Sequence, residues 1–201
     1  KYAGLPIPVD AEKLAELKRR IGSRPVWLVS STHHDEEAKI ARFIPEIKEA
    51  APGLLTIIAP RHPQRGYEVN SAVKEISGLS TSLRSAGDEI IPETDVYIAD
   101  TIGEMGLWYS LCPLVFIGGS LIPHGGQNFM EPSRMRDAVI VGPHMHNFTD
   151  AMNRAKKADA IIQVNDVLEL KDTVINLLKS PELLEAKRSL AYNWASGENK
   201  A

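Results

Sequence analysis

At 201 residues, with 43% hydrophobic and 24% charged side chains, the chain can bury a sizeable core and has the composition of an ordinary globular protein. A formal net charge of −3 without any block of basic residues leaves no footprint for nucleic acid. A single cysteine, Cys112 in the apolar run Trp108 to Pro113, excludes an internal disulfide and points to core packing, and no stretch approaches the roughly 18–20 apolar residues that span a bilayer.

Residues 1–9, with Gly4, Pro6 and Pro8, read as an extended lead-in. Because the chain opens on Lys1 in what looks like continuing sequence, it is expected to be a piece of a longer protein. Asp10 is placed to cap a helix whose Leu14, Leu17 and Ile21 share one face, and Gly22 ends it. Val26 to Ser30 is a short apolar strand, followed by Ser31-Thr32-His33-His34 and then a helix carrying Ile40, Phe43, Ile44 and Ile47. Asp35, Glu36 and Glu37 fall in the first turn of that helix, where carboxylates complement the dipole, and that role accounts for all three.

Pro52-Gly53 breaks the helix, and Leu54 to Ala59 forms a strand that ends in Pro60-Arg61-His62-Pro63. A helix near Tyr67 to Ile76 leads to a weaker strand at Leu79 to Leu83, a polar loop over Ser85 to Glu93, and a strand at Val96 to Ala99. Asp100-Thr101-Ile102-Gly103-Glu104-Met105 follows, then a helix over Leu107 to Leu111. Leu114 to Ile117 reads as a buried strand stopping at Gly118-Gly119-Ser120; Gly125-Gly126 comes next, and Asn128 to Met135 begins a helix. Ala138 to Val141 is a strand capped by Gly142-Pro143-His144, a helix covers Phe148 to Lys157, and Ala160 to Val164 is the last strand. Asn165 or Asp166 caps a helix with Val167, Leu170, Val174 and Leu177 on its apolar face, and residues 181–201 form a polar helical tail.

Short apolar runs that alternate with helices, and that are continuous instead of in–out, signal a parallel sheet covered on both faces. The expected fold is an α/β, Rossmann-like, doubly wound domain over residues 1–201, with a mainly parallel sheet of about six strands. In such sheets ligands bind outside the carboxyl ends of the strands. Ser31-Thr32, Arg61-His62, Asp100 to Glu104, Gly118 to Ser120 and Gly142 to His144 all fall at such ends.

The loop from Gly118 to Glu131 combines a strand end, glycines and a helix start, a combination suited to anions. It matches neither G-x-G-x-x-G nor the Walker A spacing, so a dinucleotide or ATP lacks its fingerprint. Asn128 and Glu131 lie on one helical face and serve either a ligand or a capping box. Arg61, fixed between prolines, suits a phosphate or carboxylate, or pairs with a surface carboxylate. Neither the His33-to-Glu37 run nor His144-Met145-His146 has a metal-ligand spacing, so no metal is expected. Gly-x-Ser-x-Gly is absent, and Glu104 and His124 stand as acid or base candidates on residue type alone.

Five stretches occur in a telling order: Ser30-Ser31-Thr32-His33-x-x-Glu36-Glu37; Pro60-Arg61-His62-Pro63; Asp100 to Met105; Gly118-Gly119-Ser120-Leu121 with Gly125-Gly126-x-Asn128-x-x-Glu131-Pro132; and Gly142-Pro143-His144-x-x-Asn147-Phe148. Together, from about Val26 to Phe148, they resemble the carboxyl-terminal half of bacterial 3-deoxy-D-manno-octulosonic acid (Kdo) transferases. Gln127 stands where that family often has His, and Phe129 where it often has Pro. The resemblance implies one half of a GT-B glycosyltransferase that moves Kdo from CMP-Kdo to a lipid A precursor at the cytoplasmic face of the inner membrane, with inversion and without metal or cofactor. It implies that this half holds the donor, and that the amino-terminal half supplies the acceptor surface, the membrane attachment and the general base, so that no catalytic residue lies in this chain. Arg61 and the N–H groups of Gly118, Gly119 and Ser120 would hold the phosphate, Asn128 would assist at the helix start, and Glu131 would accept from ribose hydroxyls. The backbone of Ile102, Gly103, Glu104 and Met105 would border the cytosine, with Ser31 and Thr32 near the phosphate or the sugar carboxylate. Other readings are a sugar-nucleotide epimerase-like domain for a UDP-sugar and a nucleotide-binding module inactive on its own.

Overall fold

A computed structural model describes residues 6–198 of the chain. The apolar runs become seven strands, β1 (Val26–Thr32), β2 (Leu55–Pro60), β3 (Thr81–Leu83), β4 (Val96–Ile98), β5 (Leu114–Ile117), β6 (Ala138–Val141) and β7 (Ile162–Gln163). All pair in parallel in one sheet of order β3-β4-β2-β1-β5-β6-β7. Successive side chains of a strand point to opposite faces, and here both faces are covered. Leu28, Ile57, Tyr97, Val115 and Val139 join a core with Leu17, Trp108 and Met152. Trp27, Val29, Ile58, Ile98, Phe116 and Ile140 join a second core with Ile44, Val73 and Val174 on the opposite face. That two-sided burial is why the strands read as unbroken apolar runs, and each fully buried large side chain contributes about 1.5–3 kcal/mol. The indole of Trp27 donates to Thr56 Oγ1 at 2.7 Å, so its one polar atom is satisfied inside the core.

The helices are α1 (Ala11–Ile21), α2 (Glu36–Ala41), α3 (Ile44–Ala50), α4 (Gly66–Ser77), α5 (Met105–Leu111), α6 (Met130–Arg134), α7 (Thr149–Lys157), α8 (Val167–Lys179) and α9 (Pro181–Glu198). Asp10 accepts from the N–H groups of Glu12 and Lys13 at 3.1 Å, and Asp166 accepts from Glu169 N–H at 2.8 Å, so both caps form. The single helix expected over Ile40 to Ile47 is two helices. Pro45 has no N–H to give Ala41, and its ring crowds that carbonyl, so the chain turns at Arg42-Phe43 and restarts. Residues 1–5 of the expected lead-in and residues 199–201 of the expected tail lie outside the described residues. Within α9, Ala191 and Ala195 are buried and Trp194 stacks on Phe129, with ring centroids 5.6 Å apart and 13° between planes.

The chain leaves β1 on one side to build β2, β4 and β3, then returns to lay β5 on the other side of β1. The crevice outside the carboxyl ends of β1 and β5 is therefore a topological switch point, where a doubly wound sheet takes its ligand. Register makes the three central strand ends level: Ser30 pairs with Ile117 and Thr32 with Pro60. Ser31, Arg61 and Gly118 are thereby brought to one edge.

Candidate functional site

A cleft of about 470 Å³ opens on that edge. Ser31, Pro60 to Pro63, Thr101, Ile102, Gly103, Met105, Tyr109, Gln127, Asn128 and Glu131 line it, drawn from the ends and loops of β1, β2, β4 and β5 and from helices α5 and α6. Ser31 sits at an irregularity in the β1–β2 pairing with φ of 56°, a left-handed conformation that costs a non-glycine residue of order 1–3 kcal/mol. A second cavity, of about 310 Å³, opens beside α1, but its charges answer one another: Arg20 pairs with Glu89 at 2.9 Å, and Arg84 and Lys13 both pair with Glu104.

Charge in the cleft comes from few groups. Among the described residues, the Arg61 guanidinium is exposed and makes no side-chain hydrogen bond or ion pair. Glu131, partly buried on α6, likewise makes no side-chain hydrogen bond or ion pair among the described residues. A capping box would have required Glu131 to reach back to the Asn128 N–H, and no such bond forms. Asn128 lies one residue before the Phe129 cap, and its Oδ1 accepts from Met130 N–H at 2.9 Å in a local turn, which leaves its amide NH2 directed to other partners. Tyr109 borders the cleft with its hydroxyl 3.2 Å from Ser30 Oγ, and burial, reinforced by the nearby Glu131 charge, pushes its phenol up, so it stays neutral.

Three expected roles, those of the glycine-loop N–H groups, of Thr32 and of Glu104, are corrected by what the side chains do. The N–H groups of Gly118, Gly119 and Ser120 do not face the cleft as an open anion cradle. Gly118 donates to Ser30 O at 2.6 Å, and Glu36 occupies the rest. Its Oε1 accepts from Gly119 at 2.7 Å and from His33 at 2.9 Å; its Oε2 accepts from Leu121 at 3.2 Å and Ser120 at 3.3 Å. Glu36 is fully buried, so it is an internal anion for the loop and more than a dipole complement. Burial raises its carboxyl, and the N–H donors oppose that rise. Ser120 is also spoken for, its hydroxyl bonding Ile117 O and accepting from Gly142 N–H at 2.8 Å. Thr32 is buried and its Oγ1 donates to Glu37 Oε1 at 2.9 Å, so it cannot touch a ligand in the cleft.

Glu104 is the third correction. Arg84 donates to both of its oxygens at 2.7 and 2.9 Å, Thr101 Oγ1 donates at 2.6 Å and Lys13 at 3.2 Å. The Arg84 bond above all holds its carboxyl down, to about 2, so Glu104 is a fixed anion and not an acid or base. Its pairing positions the Thr101-to-Met105 turn, where Gly103 has φ of 80° and the Ile102 side chain stands 86% exposed at the cleft mouth. The sequence placed His62 at this edge without giving it a role, and gave no site role to Gln127 and Tyr109, which line the cleft, or to His33, which contacts His62 and Gln127. Among the described residues no group of three His, Cys, Asp or Glu side chains is arranged to hold a metal ion.

An all-parallel, doubly wound sheet with an uncommitted cation and carboxylate across a switch-point cleft defines a Rossmann-like half of the GT-B kind. No family model matches the chain. A probable Kdo transferase of Arabidopsis thaliana, mitochondrial, is 36% identical over 179 residues, 87% of this chain and 40% of that protein. The Kdo transferase of Bordetella pertussis is 34% identical over 194 residues, 91% and 45% of the two. The crystal structure of the C-terminal CMP-Kdo binding domain of WaaA from Acinetobacter baumannii superposes with a TM-score of 0.85 at 32% identity, covering 91% of this chain and 96% of that one. Anabaena HepE in complex with UDP-glucose, at TM-score 0.64 and 13% identity over 98% of this chain and 52% of that one, shares the fold. This chain belongs to the Kdo transferase family and corresponds to its carboxyl-terminal domain; it spans about 40% of the length of the curated relatives it matches.

Proposed function

We propose that this chain is the donor-binding domain of a two-domain Kdo transferase, and that the cleft at β1 and β5 holds CMP-Kdo. One observation carries the reading: Arg61 and Glu131 are presented to a single 470 Å³ cleft with no side-chain hydrogen bond or ion pair of their own among the described residues. A guanidinium held there suits the phosphate, whose charge grows as the sugar leaves. A carboxylate beside it accepts from two ribose hydroxyls, and the Thr101-to-Met105 turn borders the base. Asn128 contributes its amide NH2, and Ser31 its hydroxyl.

The transfer to a lipid A precursor belongs to the whole protein, at the cytoplasmic face of the inner membrane. The acceptor surface, membrane attachment and general base are assigned to the other half. Two features support that division. Glu36 and Glu104, two carboxylates at this edge besides Glu131, are both engaged by donors at each oxygen. Among the described residues no helix is long and apolar enough to cross a membrane and so to present a lipid. Donor binding alone leaves the attacking hydroxyl unpositioned.

Calorimetric titration with CMP, UMP and NAD tests the binding half of the proposal. CMP is expected to bind the wild type more tightly than UMP or NAD, and Arg61→Ala to weaken it at least tenfold. Preference for UMP would point to a UDP-sugar enzyme and sink the reading. Incubation with CMP-Kdo and a lipid A precursor, with and without the separately made amino-terminal half, tests the rest: transfer by the lone chain at the full protein's rate would refute the division.

A further inference from the structure

A group of imidazoles lies beside the cleft, and the nucleotide reading does not use it. His33 follows β1, His62 follows β2 and His124 stands in the loop between β5 and α6. The His33 and His124 rings lie 4.0 Å apart between centroids at a tilt of 34°, and His62 meets His33 edge-on at 5.8 Å. His33 Nε2 is 2.8 Å from the side-chain nitrogen of Gln127, which ties the group to the cleft lining. All of this rests on Gly119: a Cβ there would meet His124, Gln127 and His33 at 3.1, 3.2 and 3.3 Å, and its φ of 69° favours glycine as well. A glycine is required for the imidazoles to close over the loop.

Among the described residues no carboxylate answers these rings. Glu36 lies beneath His33 but is filled by backbone N–H groups, and Glu37 is taken by Arg65 at 2.9 Å and by Thr32. Asp35 and Glu68 face His34 on the outer side. Burial above all, joined by the neighbouring His124 and His62 rings and the Arg61 and Arg65 charges, holds His33 down to about 4. Stacked rings do not converge on a point as metal ligands do. The cluster instead offers several N–H donors at the rim of a phosphate-sized cation site, with no anion of its own.

We propose that His33, His62 and His124, together with Arg61, form a second anion subsite beside the nucleotide cleft, which receives the carboxylate of the donor's sugar acid. The proposal rests on the CMP-Kdo reading above and deepens it. In a 2-ulosonic acid esterified at its anomeric carbon, the carboxylate is bonded to that same carbon, so it must lie next to the phosphate and within reach of whatever flanks Arg61. A carboxylate accepts several N–H donors at once, and its charge offsets the burial and positive neighbours that hold His33 down. Binding of the sugar acid is therefore coupled to proton uptake by the cluster.

The test is calorimetry with CMP and with CMP-Kdo on the wild type, His124→Ala and His33→Gln, at pH 6.5 and 8, in two buffers of different ionisation enthalpy. His124 is exposed, so its replacement leaves the fold intact, and thermal melting verifies both variants. The expected result is at least a fivefold loss of CMP-Kdo affinity in each variant against less than twofold for CMP. The wild type should also take up protons with CMP-Kdo at pH 6.5, and the variants fewer. A phosphodiester has no group of its own titrating in that range, so uptake belongs to the protein. Equal losses for the two ligands would assign the histidines to the phosphate and overturn the subsite, as would no loss for either. Failure of CMP itself to bind the wild type would refute the nucleotide reading and take the subsite with it.

Discussion

Replacing Glu36 by Gln is the most direct probe of how the glycine loop is held. The carboxylate accepts four backbone N–H bonds, two at each oxygen, between 2.7 and 3.3 Å. A glutamine keeps one oxygen and turns an NH2 toward the other pair of donors. Two buried N–H groups then lose their acceptor, at about 1–3 kcal/mol each, so the variant should lose about 2–6 kcal/mol. For a chain of this size each kcal/mol moves Tm by roughly 2–4 °C, so a fall of at least about 4 °C is expected. Thermal and urea unfolding by circular dichroism at pH 7 measure it. Because Gly119 and Leu121 lead into the segment that carries Gln127 and Asn128, CMP affinity should drop in the folded fraction as well. A Tm within about 2 °C of wild type would refute the reasoning, since a neutral carboxamide would then serve as well as an ionised carboxylate.

Glu131→Ala should weaken CMP by tenfold or more, about 1.5–3 kcal/mol, with Tm unchanged, because the carboxylate makes no bond to its helix; unchanged affinity with a lowered Tm would return it to a capping role. Glu104→Gln should destabilise the fold at neutral pH in urea titrations. The folded carboxyl is held down to about 2, below the unfolded value, so its contribution is present above the usual carboxylate range and lost as pH falls toward 2; the gap between variant and wild type must narrow on acidification. Gly119→Ala should weaken the packing of His33 on His124 and cost stability through its left-handed φ, and an unaltered His33 titration followed by NMR would count against the crowding seen at that position.

The layout of the fold was legible because two-sided burial leaves a plain mark: Trp27 to Val29, Ile57-Ile58 and Val115 to Ile117 have no polar alternation to confuse with an exposed strand. Asp10 and Asp166 were legible as caps because capping is decided within three residues. Pro45 also carried its message locally, and the apolar spacing of Ile40, Ile44 and Ile47 masked it. The site edge could be read from which residues terminate strands. What each side chain does there could not. Glu36 and Gly119 are 83 residues apart, Lys13 and Glu104 91, and His33 and Gln127 94, so their bonds exist only once the sheet order is set. A first-turn glutamate satisfies a local rule whether or not a distant loop needs its charge.

The position of Glu36 also constrains how a donor can be held. An anion entering the Gly119-to-Leu121 amides would have to displace a buried carboxylate bonded by four N–H groups, and leave that charge without its donors in the core. The loop is therefore already organised before any ligand arrives, and it presents side chains instead of amides to the cleft. Under the proposed reading, a phosphate and a sugar acid are received by side chains outside the loop, Arg61 and the imidazoles beside Gly119. Among the described residues no carboxylate pairs with the side chains of Arg61, His33, His62 or His124, so the uncommitted N–H donors of this edge sit beside the glycines and not within them.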